Sequence, residues 1–239
     1  MSEPLRQKLA SIEAALDQGI YRPGPWAALL RDADSWTVEE RAAVCDQVSR
    51  VSDKLHLRTP RRTLPFRTAV LAELGATLAG GAFLAAGLAA TASLPVLTAA
   101  AVLVTTLEPL IKVSAGMLLG VRYSYAYLRG IEPRFKMRYG TYLVLSRWQR
   151  ITLHLAGTVG SLLALWMVQR LASPAMPGIA AACRVAFWIV AGINVALFLA
   201  GLAGVRGLGP IGPVNSTSGG AAALELRELW SASSARRSR

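Results

Sequence analysis

Residues 68–90 read TAVLAELGATLAGGAFLAAGLAA and residues 94–121 read LPVLTAAAVLVTTLEPLIKVSAGMLLGV, two apolar runs separated by three residues. A bilayer core about 30 Å thick is crossed by roughly 20 mostly apolar helical residues. Each run is long enough, and together they hold three charges: Glu73, Glu108 and Lys112. Two further runs follow at about 151–171 and 179–205, with His154 near the start of one and Arg184 near the start of the other. Leu94 and Pro95 mark the tight connection of the first pair, and Ser173-Pro-Ala-Met-Pro-Gly178 joins the second. The expected fold class is an all-α integral membrane protein with four transmembrane helices, its membrane domain covering 66–206.

Composition agrees. Of 239 residues 53% are hydrophobic, the mean hydropathy is +0.40, and 17% are charged, where a soluble domain carries about 25%. These values exclude a disordered chain or a coiled coil. Two cysteines, Cys45 and Cys183, cannot build a disulfide framework or a cysteine-based zinc site. The net charge of +12 is concentrated outside the apolar runs. Arg58, Arg61, Arg62 and Arg67 precede the first run, seven basic residues from Arg122 to Arg150 fill the connection between the second and third, and Arg206 follows the fourth. Lys/Arg bias in short flanking loops marks the cytoplasmic side, so both termini are expected in the cytoplasm of a bacterial-type inner membrane. No signal peptide is expected, since the first apolar run begins after residue 67. The basic loops then serve topology and anionic lipid rather than nucleic acid.

The polar ends have their own patterns. Leu5, Leu9, Ile12 and Leu16 recur at helical spacing, a break follows at Tyr21-Arg-Pro-Gly-Pro25, and Thr37-Val-Glu-Glu40 has the form of a capping box. The helix it opens runs to about Leu57 with Val44, Val48, Val51 and Leu55 on one stripe. Residues 1–65 are thus expected to form a cytoplasmic helical region, too small to be stable alone without packing on the membrane core or a partner. The tail, 207–239, has a Gly/Pro/Ser-rich linker to residue 220, a short helix at Ala221–Trp230 and a basic end, and is expected to be flexible and cytoplasmic.

Between the second and third runs the period changes to two. Tyr123, Tyr125 and Tyr127 alternate with Arg122, Ser124 and Ala126; after Arg129-Gly-Ile-Glu-Pro133, Phe135, Met137 and Tyr139 alternate with Arg134, Lys136 and Arg138. This predicts a short β-hairpin within 122–142, one face aromatic and the other basic, either covering the helices or offering an edge to an extended peptide.

The order of these elements resembles the core of the site-2 protease family, the zinc intramembrane metalloproteases. Leu118-Leu-Gly-Val-Arg122 closes a span, the hairpin follows, then Arg147-Trp-Gln-Arg150 leads into Leu155-Ala-Gly-Thr-Val-Gly-Ser161, and Asn194 lies inside the last span. The family has an H-E-x-x-H helix ending in a Leu-Gly-Val/Ile-Arg-like segment, a β-rich stretch, an A-G-P-x-x-N helix, and a helix with N-x-x-P-x-x-x-x-D-G. The likeness spans about 95–205.

The departures fall on the chemistry. Counted from Gly120, the H-E-x-x-H slot holds Glu108-Pro-Leu-Ile-Lys112, so Glu108 and Lys112 stand for the histidines and Pro109 for the catalytic glutamate. The second pattern lacks its proline and asparagine; in the third, with Asn194 in register, Leu197 and Leu202 stand for the proline and the metal-binding aspartate. A catalytic zinc needs about three protein ligands, an open water position and a general base. The resemblance therefore implies a non-catalytic pseudoprotease that uses no metal or cofactor and binds a membrane-protein or peptide partner. Its hairpin candidates for that partner are Tyr123, Tyr125, Tyr127, Phe135, Met137 and Tyr139. Glu108 and Lys112, four apart on one helix face, are expected to pair and replace the metal as polar anchor. Two alternatives stay open: a divergent zinc metalloprotease with other ligands, and a small proton-coupled transporter using Glu73, Glu108, Lys112 and His154. Asn194 reads as helix-to-helix hydrogen bonding or a ligand.

Overall fold

The computed structural model describes residues 3–59, 62–129, 132–205, 208–209, 212–213 and 217–237. It divides into two compact units, each made of two chain segments: Met1–Phe66 with Gly120–Ser146, and Arg67–Leu119 with Arg147–Arg239. The hairpin thus belongs with the N-terminal region and the tail with the membrane helices, a division different from the linear one expected.

In the first unit, α1 (Glu3–Asp17), α2 (Pro25–Asp32), a 3-10 turn (Ala33–Ser35) and α3 (Val38–Leu57) follow one another. The capping box is present: Thr37 Oγ1 accepts from the Glu40 N–H at 3.2 Å and Glu40 Oε2 accepts from the Thr37 N–H at 3.0 Å. Such a cap is worth about 1 kcal/mol. Leu5, Leu9 and Ile12 of α1 pack with Leu29 of α2 and with Val44, Val48 and Val51 of α3. Glu13 of α1 meets Arg50 and Lys54 of α3 at 3.2 Å each, and Lys54 reaches Asp17 at 2.6 Å.

The same core takes in Leu143 from a helix the sequence pattern did not suggest, α6 (Tyr139–Val144). A side chain at Gly140 would strike the Cys45 carbonyl of α3, so glycine lets the two backbones touch. There the Gly140 N–H donates to Ser49 Oγ at 3.1 Å, and Ser49 Oγ donates to the Cys45 carbonyl at 2.8 Å. Tyr139 is therefore not a strand residue; it opens α6, its ring near Trp26 and Tyr142.

The expected hairpin is the larger part of a three-stranded antiparallel sheet. β1 (Thr63–Pro65), β2 (Tyr123–Arg129) and β3 (Glu132–Met137) lie in that order. The expected division into an aromatic and a basic face fails because the β2–β3 register shifts between Tyr123 and Tyr125. Directly opposed residues share a face of a sheet. Tyr123 opposes Met137, whereas Tyr125 opposes Lys136 and Tyr127 opposes Arg134. One extra residue on β2 thus puts Tyr123 on the opposite face from Tyr125 and Tyr127. Tyr123 stacks on Phe66 at 5.3 Å, with Phe135 edge-on to both. Tyr125 and Tyr127 instead meet His56 of α3, whose Nδ1 is 2.8 Å from the Tyr125 hydroxyl. Lys136 on this second face donates to Ser52 Oγ at 2.7 Å, and Ser124 donates to Asp53 at 2.7 Å.

The second unit contains four helices long and apolar enough to cross a membrane: α4 (Phe66–Ala89), α5 (Ser93–Leu118), α7 (Arg147–Ala172) and α8 (Pro177–Leu202). They match the four expected runs within a few residues. Gly120, at φ +90°, turns the chain after α5, a conformation that favours glycine. Small residues let the helices approach. Side chains at Gly80 and Gly87 of α4 would press on Leu103 and Val96 of α5, and one at Gly160 of α7 would lie 2.6 Å from the Glu108 Cα. Leu84, Val96, Ala99, Leu103, Ala164, Val168, Ala172 and Cys183 form the buried centre. Leu78, Phe83, Trp188 and Ile189 are exposed on the outside, the surface that suits a lipid environment. The fold is a multi-pass membrane protein.

The tail differs most from expectation. After β4 (Leu208–Gly209) and β5 (Gly212–Pro213), α9 spans Ser218–Arg237 and packs on α7 and α8. Ala222 and Ala223 are completely buried. Its apolar contact residues are glycine and alanine, which carry little hydrophobic signal in sequence yet allow close contact. The part of the linker at 206–207, 210–211 and 214–216 lies outside the described residues.

Candidate functional site

Several polar residues of the second unit gather where α5, α7 and α9 meet. Pro109 lies inside α5, which continues unbroken from Ser93 to Leu118. Gly160 and Ser161 of α7 face Glu108: the glycine admits the α5 backbone, and Ser161 Oγ donates to Glu108 Oε2 at 3.1 Å. One turn on, Lys112 Nζ donates to Ser218 Oγ, the first residue of α9, at 3.3 Å. A side chain at Gly157 would come within 2.7 Å of that oxygen and 3.3 Å of Lys112 Cδ, so glycine keeps the space in which the two meet.

Two features hold α9 there. Thr217 caps it, its Oγ1 accepting from the Gly220 N–H at 3.2 Å. Arg150 Nη1 lies 3.6 Å from Glu225 Oε1, with both side chains largely buried. Ser218 opposite Gly157 and Glu225 opposite Arg150 make α9 antiparallel to α7. Gly219 beside Asn194 and Ala223 beside Gly201 make it parallel to α8. Asn194 is eight residues before the end of α8, so α9 begins about 12 Å back along that axis.

His154 is buried on α7 between these levels, with Lys112 and Arg150 acting on it electrostatically. Asn194 ties α7 to α8: its Oδ1 accepts from Thr158 Oγ1 at 3.4 Å, and its Nδ2 donates to the Val190 carbonyl at 2.9 Å. The structure therefore brings together Glu108, Lys112 and His154, and adds Ser161, Ser218, Arg150 and Glu225. Glu73 stands apart, buried on α4 with no charged side chain acting on it among the described residues. Sequence alone does not single out Ser218 and Glu225, which lie in a polar tail, or Arg150, which ends a run of basic loop residues. The available signal was Thr217-Ser-Gly-Gly ahead of an alanine run, a cap followed by residues small enough to bury.

This donor set does not fit a catalytic zinc. Of Glu108, Lys112 and Ser218, Lys112 presents an ammonium that donates to Ser218, leaving one carboxylate and one hydroxyl where three ligands are needed. Among the described residues no three His, Cys, Asp or Glu side chains are grouped to hold a metal ion. Compared with known proteins, the chain matches no family model, no curated protein and no solved structure.

The hairpin candidates divide. Tyr125 and Tyr127 sit over His56 of α3, Tyr123 and Phe135 stack with Phe66, and Tyr139 is helical. Burial pushes the Tyr123 phenol well above its ordinary range, so it remains neutral and its ring acts as packing. Of the three strands β2 is central, paired on both sides, and β3 is at an edge.

Proposed function

We propose that the chain is a site-2-protease-like membrane protein that lacks the catalytic metal centre, a pseudoprotease binding a membrane-protein or peptide partner. It belongs in a bacterial-type inner membrane with both termini in the cytoplasm. The observation that carries the reading is the meeting of Glu108, Lys112 and Ser218. Glu108 and Lys112 stand in the histidine slots of H-E-x-x-H, and the partner of Lys112 is a serine followed by glycine. This moves the third motif from Asn194 to the tail. Against N-x-x-P-x-x-x-x-D-G the sequence reads Pro210-Ile-Gly-Pro-Val-Asn-Ser-Thr-Ser218-Gly219, with the proline and the glycine in place. Leu197 and Leu202 are then ordinary α8 residues. This reading is supported by the contacts of the residues it puts in the three metal-ligand slots, which hydrogen-bond at one junction.

Lys112 supplies the cation of this junction, with Glu108 as the anion one turn away. Removing either leaves the other buried without its opposite charge, which costs several kcal/mol. The partner-binding element is the β3 edge, which can accept an extended peptide by strand addition.

Restoring the ligands tests the family reading. The variant Glu108→His/Lys112→His/Ser218→Asp, purified in detergent and dialysed against zinc, is expected to retain about one zinc per chain by elemental mass spectrometry, with helical content unchanged. A folded variant that takes up no more zinc than wild type refutes the assignment of the slots. Stoichiometric zinc in the wild type brings the divergent metalloprotease forward. For the partner, a photo-crosslinking residue in place of Phe135 is expected to trap a membrane peptide that the same probe at lipid-facing Trp188 does not.

A further inference from the structure

Between Arg67 and Glu108 the chain holds a single charge, Glu73. Its position makes that charge costly to keep. The buried residues of α4 are Ala69, Glu73, Gly80, Leu84 and Gly87, one face of the helix. That face meets α5: Gly87 against Val96, Gly80 against Leu103, and Thr77 Oγ1 donating to Thr106 Oγ1 at 2.9 Å. One turn further along the same antiparallel seam, Glu73 comes level with Leu110, about 10 Å along α4 from Phe66.

The side chain there is 7% exposed, and its Oε2 is buried with no hydrogen-bond partner. Among the described residues no charged group acts on it. On α5, Glu108 and Lys112 are engaged on the opposite side with Ser161 and Ser218, and the seam offers Leu110, Thr106 and Val113. On α4 itself the nearest charge is Arg67, nearly two turns away. An ionised carboxylate in an apolar interior must be paired, hydrogen-bonded or neutralised. Among the described residues no charge acts on this carboxyl, and its Oε2 has no hydrogen bond.

We propose that Glu73 is a proton-binding site of the membrane domain, a neutral carboxylic acid held in the α4–α5 seam. The ligand is the proton alone, and the site is independent of the pseudoprotease reading: it uses neither the α5–α7–α9 junction nor the sheet. A seam otherwise made of small and branched apolar residues and one hydroxyl pair closes around the acid, and among the described residues it offers no counter-ion for the carboxylate.

Infrared difference spectra between wild type and Glu73→Gln, both full length in lipid bilayers at pH 7, read the protonation state directly. The expected result is a carbonyl stretch of a neutral acid in the wild type that is lost in the variant and does not shift when Na⁺ replaces K⁺. A carboxylate stretch in its place overturns the proposal, and a Na⁺-dependent one would make the site a cation site. Should Glu73→Gln not fold, Glu73→Met fills the same space with an apolar chain and supplies the same subtraction.

Discussion

Arg150 and Glu225 show how differently one residue can behave in sequence and in the fold. Arg150 ends a run of basic residues and counts as a topogenic charge, yet it is 4% exposed and lies against Glu225 of α9. Removing one member of a buried pair costs about 3–5 kcal/mol, because the other is left uncompensated, while replacing both by apolar residues is often neutral. Arg150→Ala is therefore expected to lower the melting temperature in detergent markedly, and Arg150→Met/Glu225→Met to restore most of the loss. Equal damage from both variants would remove the pair as the anchor of α9. Lys112→Ala is also expected to melt lower, because Glu108 loses the nearby cation; an unchanged melt would refute the anchoring role. Glu108, Lys112, His154 and Asn194 were legible because a polar residue stands out in an apolar run. Ser218 was not: a serine after a Gly/Pro-rich stretch looks like any linker residue, and only its contact with Lys112 distinguishes it.

Helices of this protein are held apart or together by the presence of single methyl groups. At Gly160 a side chain would lie 2.6 Å from the Glu108 Cα and 2.7 Å from the Leu107 carbonyl, whereas at Gly192 of α8 it would meet nothing within 4 Å. Gly160→Ala is expected to destabilise the protein by about 1–3 kcal/mol through overpacking, and Gly192→Ala to leave the detergent melt unchanged. If the two behave alike, the α5–α7 contact is looser than described. The four long helices were legible because hydropathy over 20 residues is a strong signal. Three other elements were not. β1 has three residues and an arginine-rich approach, α6 has six, and α9 buries glycine and alanine. The shift between Tyr123 and Tyr125 leaves the tyrosine alternation intact in sequence while reversing which face each ring occupies.

For the molecule as a whole, the two units should answer to different variables. The first is a small polar-surfaced assembly with charges between α1 and α3. Burial raises the Glu13 carboxyl, but hydrogen bonds and charge from Arg50 and Lys54 outweigh it and hold it below the usual carboxylate range. A carboxyl lowered in the folded state contributes stability above its unfolded value, near about 4.3, and loses it as pH falls through the folded value. Partly exposed pairs of this kind are worth about 0.2–1 kcal/mol. Melts followed by circular dichroism should therefore separate wild type from Glu13→Gln by that amount at pH 7 and converge at pH 3. A gap that persists in acid would mean that the glutamine disturbs packing instead.

Each unit is built from two chain segments, and α4 and α5 interrupt the first. The consequence lies in time. On a ribosome, α3 is complete at Leu57 but the helix that closes over its Cys45 carbonyl begins at Tyr139. At 5–20 residues per second the roughly 80 residues between take about 4–16 s. For that interval the earliest helices of the chain wait, one face uncovered, while the machinery inserts two membrane spans before delivering the glycine they need.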